Sequence, residues 1–171
     1  MNQQVIDCAV EYVKENKLNY IIIASITGAA LEVLCKKFSG HIICVTHAYG
    51  YKVPGECEFP EALRQEYEAR GVRFVTAAHV LSGAERGIST VYKGMYPVEI
   101  MAQTLRMFGA GTKVGVECAV MALDAGVIPF GERVVALGGT GSGVDTAIVV
   151  TPNYAQRIFA TRIHKILCKP E

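Results

Sequence analysis

The sequence predicts an α/β three-layer sandwich: a mostly parallel sheet, covered by helices on both faces and closed by an antiparallel hairpin. Three observations carry this. Short β-branched runs alternate with stretches of helical periodicity along the chain. The runs are continuously apolar instead of alternating, as in strands buried on both faces. The fourth and fifth runs are separated only by a short segment built on Gly138–Gly143, short of the roughly 12 residues that a parallel crossover needs.

The elements follow in order. Val5, Cys8, Ala9, Tyr12 and Val13 recur at helical spacing, so about the first sixteen residues form an amphipathic helix. Tyr20-Ile21-Ile22-Ile23-Ala24 is the first strand. Ser25-Ile26-Thr27-Gly28 turns into a second helix through about Phe38, with Gly40 just beyond. His41–Val45 is the next strand. Pro60 and Glu61 start a third helix that closes at Gly71, and Val72–Val75 is the third strand.

Residues 79–96 are rich in Ser and Gly; a loop of this length in a compact domain is functional or hides a short helix. Pro97 suits the first turn of a helix running to Phe108, and another helix covers about Lys113 to Ala125. Arg133–Leu137 and Ala147–Val150 are the fourth and fifth strands. The tail, Arg162 to Leu167, reads as an exposed edge strand.

Length and composition bound the function. The 171 residues make one domain, 51% hydrophobic and 19% charged, with mean hydropathy +0.28. A disordered chain is excluded. The formal charge of +1 gives no broad electrostatic footprint for nucleic acid or an anionic membrane, so neither is expected as a partner. No run approaches the ~18 apolar residues of a membrane span, and the start lacks the pattern of a secretory signal. The six cysteines are scattered, without CxxC or zinc-type spacing, so no metal site is expected and a reduced, cytoplasmic location is. Homo-oligomerisation stays open.

In a parallel sheet the strand-to-helix turns emerge at one edge, where open α/β folds bind ligands. That edge should collect Ser25-Ile26-Thr27-Gly28, Thr46-His47, Thr76 to Ser82 with His79, and Gly138–Gly143. Thr27 and Gly28 open a helix, whose free N–H groups and positive dipole end suit an anion. Gly139, Gly141 and Gly143 let backbone approach a ligand, while Thr140 and Ser142 offer hydroxyls. Plainer readings stand beside these: Ser25 or Thr27 as a simple helix cap, the hexapeptide as a simple turn. The loop matches neither the Walker pattern nor a dinucleotide fingerprint.

His47 and His79 follow strands on this edge. Glu117 is anomalous, a carboxylate between Val114-Gly115-Val116 and Cys118-Ala119-Val120-Met121, which must find a partner or face the cleft. Asp145 either shapes the glycine loop or binds ligand hydroxyls.

At these loops the chain resembles the carboxy-terminal domain of pyruvate kinase, where the equivalents of the first and last loops cradle a phosphorylated effector. It is more similar still to small stand-alone prokaryotic pyruvate kinase α/β-domain proteins. That likeness rests on Thr76-Ala77-Ala78-His79-Val80-Leu81-Ser82-Gly83-Ala84-Glu85-Arg86, Met121-Ala122-Leu123-Asp124-Ala125-Gly126 and Gly138 to Ala147. The resemblance implies a sheet of about five strands and a phosphate-bearing ligand at its carboxyl edge, flavin mononucleotide (FMN) being the one associated with the small family. It also implies no pyruvate kinase activity, since that chemistry belongs to a separate barrel domain for which this chain has no room. The reading is of an FMN-binding protein, with a small flavoenzyme of unknown reaction as one form of it. The alternative is a non-catalytic sensor of phospho-ligands.

Overall fold

The computed structural model describes residues 2–141 and 143–170. Six strands form one sheet in the order β3-β2-β1-β4-β5-β6. They are β1 (Tyr20–Ala24), β2 (His41–Val45), β3 (Arg73–Val75), β4 (Val134–Gly138), β5 (Thr146–Thr151) and β6 (Arg162–Cys168). β1 pairs in parallel with β2 and β4, and β2 with β3. The β4–β5 and β5–β6 pairs are antiparallel, as the short glycine loop requires. The sixth strand, beyond the five that the resemblance implies, is the Arg162–Leu167 tail added to the edge.

Parity along the strands builds the two cores. Ile21 and Ile23, Val135 and Leu137, and Ala147 and Val149 face helices α1 (Asn2–Glu15), α2 (Ala29–Cys35) and α3 (Glu61–Ala69). Ile22, Val134, Ala136, Ile148 and Val150 face the opposite side, where α6 (Ala110–Asp124) lies. The interiors of β1, β2, β4 and β5 are therefore buried on both faces, which explains the continuous apolar runs there, while β3 and β6 at the sheet edges carry exposed charged residues. No helix among the described residues is long and apolar enough to cross a membrane.

Three local details complete or adjust the expected elements, the first being the short helix that the sequence allows for in the 79–96 segment. Residues 79–96 contain a ten-residue helix, α4 (Gly83–Tyr92), followed by α5 (Pro97–Arg106). α2 stops at Cys35, not near Phe38, because the chain turns there and the Phe38 ring folds back over Gly40. A 3₁₀ turn at Ala155–Ala160 precedes β6. Its first N–H is taken by the Asp124 carboxylate at 3.2 Å, and Tyr154 stacks on Phe130. These long-range contacts leave no periodic trace in the sequence.

α6 approaches the sheet closely. A Cβ on Gly138 would lie 2.1 Å from the Gly111 carbonyl oxygen and 2.8 Å from the Gly115 nitrogen. Glycine at the end of β4 thus sets how far the helix can sink onto the sheet.

Candidate functional site

β1 lies where the connections reverse. The chain leaves it through α2 for β2 on one side, and returns through α4–α6 to β4 on the other. The carboxyl ends of β1 and β4 therefore flank a topological switch point, the position at which open α/β sheets bind ligands. A cleft of about 600 Å³ opens there, within the ~300–1,000 Å³ typical of small-molecule sites.

Most of the expected residues meet in this cleft. Ser25, Thr27, Thr46, His47, His79, Ser82, Glu117, Gly139, Thr140, Gly141 and Gly143 all line it. Ser142 falls outside the described residues. Two expected residues do not reach the wall. Gly28 has φ +88°, and a side chain on it would meet Leu63 Cδ2 at 2.5 Å, so it turns the backbone toward α3. Asp145 instead accepts a hydrogen bond from the Thr146 hydroxyl at 2.7 Å and packs near Gly111.

The first loop is held by Ser25, not Thr27. Ser25 Oγ is buried and accepts the Gly28 N–H at 3.1 Å, while Thr27 is exposed on the cleft wall. The hydroxyl that the sequence leaves free to cap or to bind is thus not used as a cap. On the second strand end, the Thr46 and Thr76 hydroxyls lie 2.7 Å apart and Arg64 Nη1 donates to Thr76 at 3.2 Å, tying β2 to β3 and α3.

His47, Tyr51 and His79 form a cluster of rings. The His47 centroid lies 4.2 Å from Tyr51 and 5.4 Å from His79. His47 Nδ1 pairs with Glu58 Oε2 at 2.6 Å, and Lys52 Nζ lies 2.7 Å from Glu58 Oε1. Lys52 first, and His47 after it, hold the Glu58 carboxyl below its ordinary range.

Glu117 has found its partners. Both it and Lys113 are 4% exposed, one helical turn apart on α6. Lys113 Nζ donates to Glu117 Oε2 at 2.5 Å, and the Leu81 N–H donates to Oε1 at 2.9 Å. The carboxylate therefore ties α6 to the turn that leads into α4. Lys113, Arg86 and Arg106 line the cleft without having been marked by the sequence reading. For Lys113 a signal existed: a Lys–Glu pair at i,i+4 inside an otherwise apolar helix. The two arginines lie on separate helices and only tertiary structure brings them together. Among the described residues neither guanidinium has an ion pair or a side-chain hydrogen bond.

Burial lowers the pKa of His79; the Glu117 carboxylate opposes this, while His47 and Lys113 reinforce it. A histidine whose folded pKa is depressed binds its proton more readily unfolded than folded. Stability is then complete above about pH 6.5 and falls as pH drops through that value toward the folded pKa. His79→Gln should flatten the pH 7 to 5 stability profile, by at most about 1.4 kcal/mol per pH unit. Urea unfolding across that range measures it; because His164 is depressed too, His164→Gln serves as the comparison. An unchanged slope in His79→Gln would assign the effect elsewhere.

Fold and cleft together define an α/β domain with an open cleft at the sheet's switch point. The family model for the pyruvate kinase alpha/beta domain matches residues 3–150, and the chain belongs to that family. Among solved structures, it is similar to a pyruvate kinase from Cryptosporidium parvum, at 17% identity and TM-score 0.44, over 88% of this chain and 23% of that one. The Cryptosporidium parvum enzyme in complex with ADP gives 17% identity and TM-score 0.42, over 99% and 24%. The chain thus spans about a quarter of the length of these enzymes.

Proposed function

We propose that the cleft binds a phosphate-bearing small molecule, and that the ligand is FMN. The observation that carries this is the pair of unpaired guanidiniums, Arg86 and Arg106, in the same cleft as the Gly139–Gly143 loop. Arginine forks match phosphate geometry, and a glycine loop lets backbone N–H groups approach an anion. The phosphate would lie against Thr27 and the glycine loop, within the field of both arginines. The ring system would rest on the cleft's apolar lining, which includes Ala24, Val45 and Met121, beside the His47–Tyr51–His79 cluster. The resemblance to stand-alone prokaryotic pyruvate kinase α/β-domain proteins supports FMN in particular. No reaction is assigned.

The visible spectrum of the purified protein, before and after adding FMN, tests the reading. A yellow protein, or one whose added FMN shifts on binding, supports it. A colourless protein that ignores flavin but is stabilised by sugar phosphates would replace it with the phospho-ligand sensor. Thr27→Glu should abolish FMN binding, since a carboxylate would occupy the anion's place, and the fold should survive because Thr27 is exposed. Thermal unfolding of the variant alongside the titration separates the two effects; undiminished FMN binding would move the phosphate away from this loop.

A further inference from the structure

The cations of the cleft are of two kinds. Arg86 and Arg106 are exposed and form its rim. Lys113 is different, because its side chain is 5% exposed and it lies at the floor. An ammonium carries three N–H donors. Among the described residues one of them is spent, on Glu117 Oε2. The other two have no protein acceptor among the described residues and are free to serve an acceptor in the cleft. Glu117, by contrast, is served at both oxygens, by Leu81 N–H and by Lys113. The carboxylate is committed to structure and the ammonium still has capacity toward the cleft.

Charge narrows the acceptor. Lys113 and Glu117 cancel, so the floor offers donors without net positive charge. Burial favours the neutral form of His79 beside them. A second anion at the floor would gain little from a neutralised pair and would lose its hydration. A neutral carbonyl oxygen, with two lone pairs, fits the unspent donors at a smaller desolvation cost.

We propose that Lys113, held in place by Glu117, is a specificity-determining residue that donates to a neutral carbonyl oxygen of the ligand. The site then has two poles: phosphate at the rim, carbonyl at the floor. This rests on the reading of the cleft as a phosphate-ligand site, and narrows the ligand to phosphate esters that also carry a carbonyl. A buried ion pair with no such duty is replaceable by apolar side chains with little loss.

The test uses Lys113→Met/Glu117→Gln, which removes both charges together, and Arg106→Gln, with binding of FMN and riboflavin measured for each. Both flavins carry the ring carbonyls, and only FMN carries the phosphate. The floor variant should weaken both about equally, roughly ten-fold, as expected for the loss of a buried charged donor. Arg106→Gln should weaken FMN alone. Unchanged affinity in the floor variant overturns the proposal, as does loss confined to FMN, which would make Lys113 a phosphate contact. Wild type that binds neither flavin sinks the FMN reading, and the floor is then read from thermal shifts with dihydroxyacetone phosphate and glycerol 3-phosphate. These differ in a carbonyl against a hydroxyl. Greater stabilisation of wild type by the ketone, lost in the floor variant, upholds the carbonyl subsite. Equal stabilisation, or none from either, overturns it.

Discussion

Glu117→Ala is expected to destabilise the protein by about 3–5 kcal/mol, the usual cost of removing one partner from a buried ion pair. The reason is what remains. Lys113, 4% exposed, would be left at the cleft floor with no counter-ion, and the Leu81 N–H would lose its acceptor. The turn into α4 would come loose from α6 at the same time, so protection of amides near residue 81 against hydrogen exchange should fall. Lys113→Met/Glu117→Gln should recover most of the stability, because it removes the stranded lysine. Urea unfolding of the two variants settles this; a loss below about 1 kcal/mol, the scale of an exposed pair, would mean that water reaches the pair freely.

Gly138→Ala is the second large effect. Its Cβ would lie 2.1 Å from one backbone atom of α6 and 2.8 Å from another, and neither can move without lifting the helix off the sheet. Overpacking of this kind costs about 3 kcal/mol or more. Gly141 is the control from the neighbouring loop. A Cβ there meets nothing within 4 Å, so Gly141→Ala should cost only about 1–2 kcal/mol, for its left-handed backbone. Equal losses in the two variants would refute the close approach of α6 to β4.

The contrast between these glycines also shows where the sequence is readable. Gly138 and Gly141 look alike in the run from Gly138 to Gly143, yet one limits helix packing and the other borders open space. Burial on both faces makes β1, β2, β4 and β5 legible, since the interior positions of each must be apolar. β3 has only three residues and is recognisable mainly from its neighbours. The convergence of Thr27, Thr46, His79 and the glycine loop follows from strand direction alone, and those residues do share the cleft. Gly28 and Asp145 sit beside the same loops but turn to Leu63 and Thr146, a matter of local packing that sequence position does not reveal. Arg86 and Arg106 are missed because an exposed arginine near a helix end ordinarily reads as a solvated surface residue.

The ratio of the riboflavin to the FMN dissociation constant, for wild type and for Arg86→Gln/Arg106→Gln, tests the phosphate site most directly. The two ligands share their ring and differ by one phosphate. A phosphate site in the cleft predicts that wild type prefers FMN by at least about ten-fold, the scale of one charge-assisted contact, and that the double variant loses this preference while keeping its affinity for riboflavin. Equal wild-type affinity for the two flavins, or a preference that survives loss of both arginines, would contradict it.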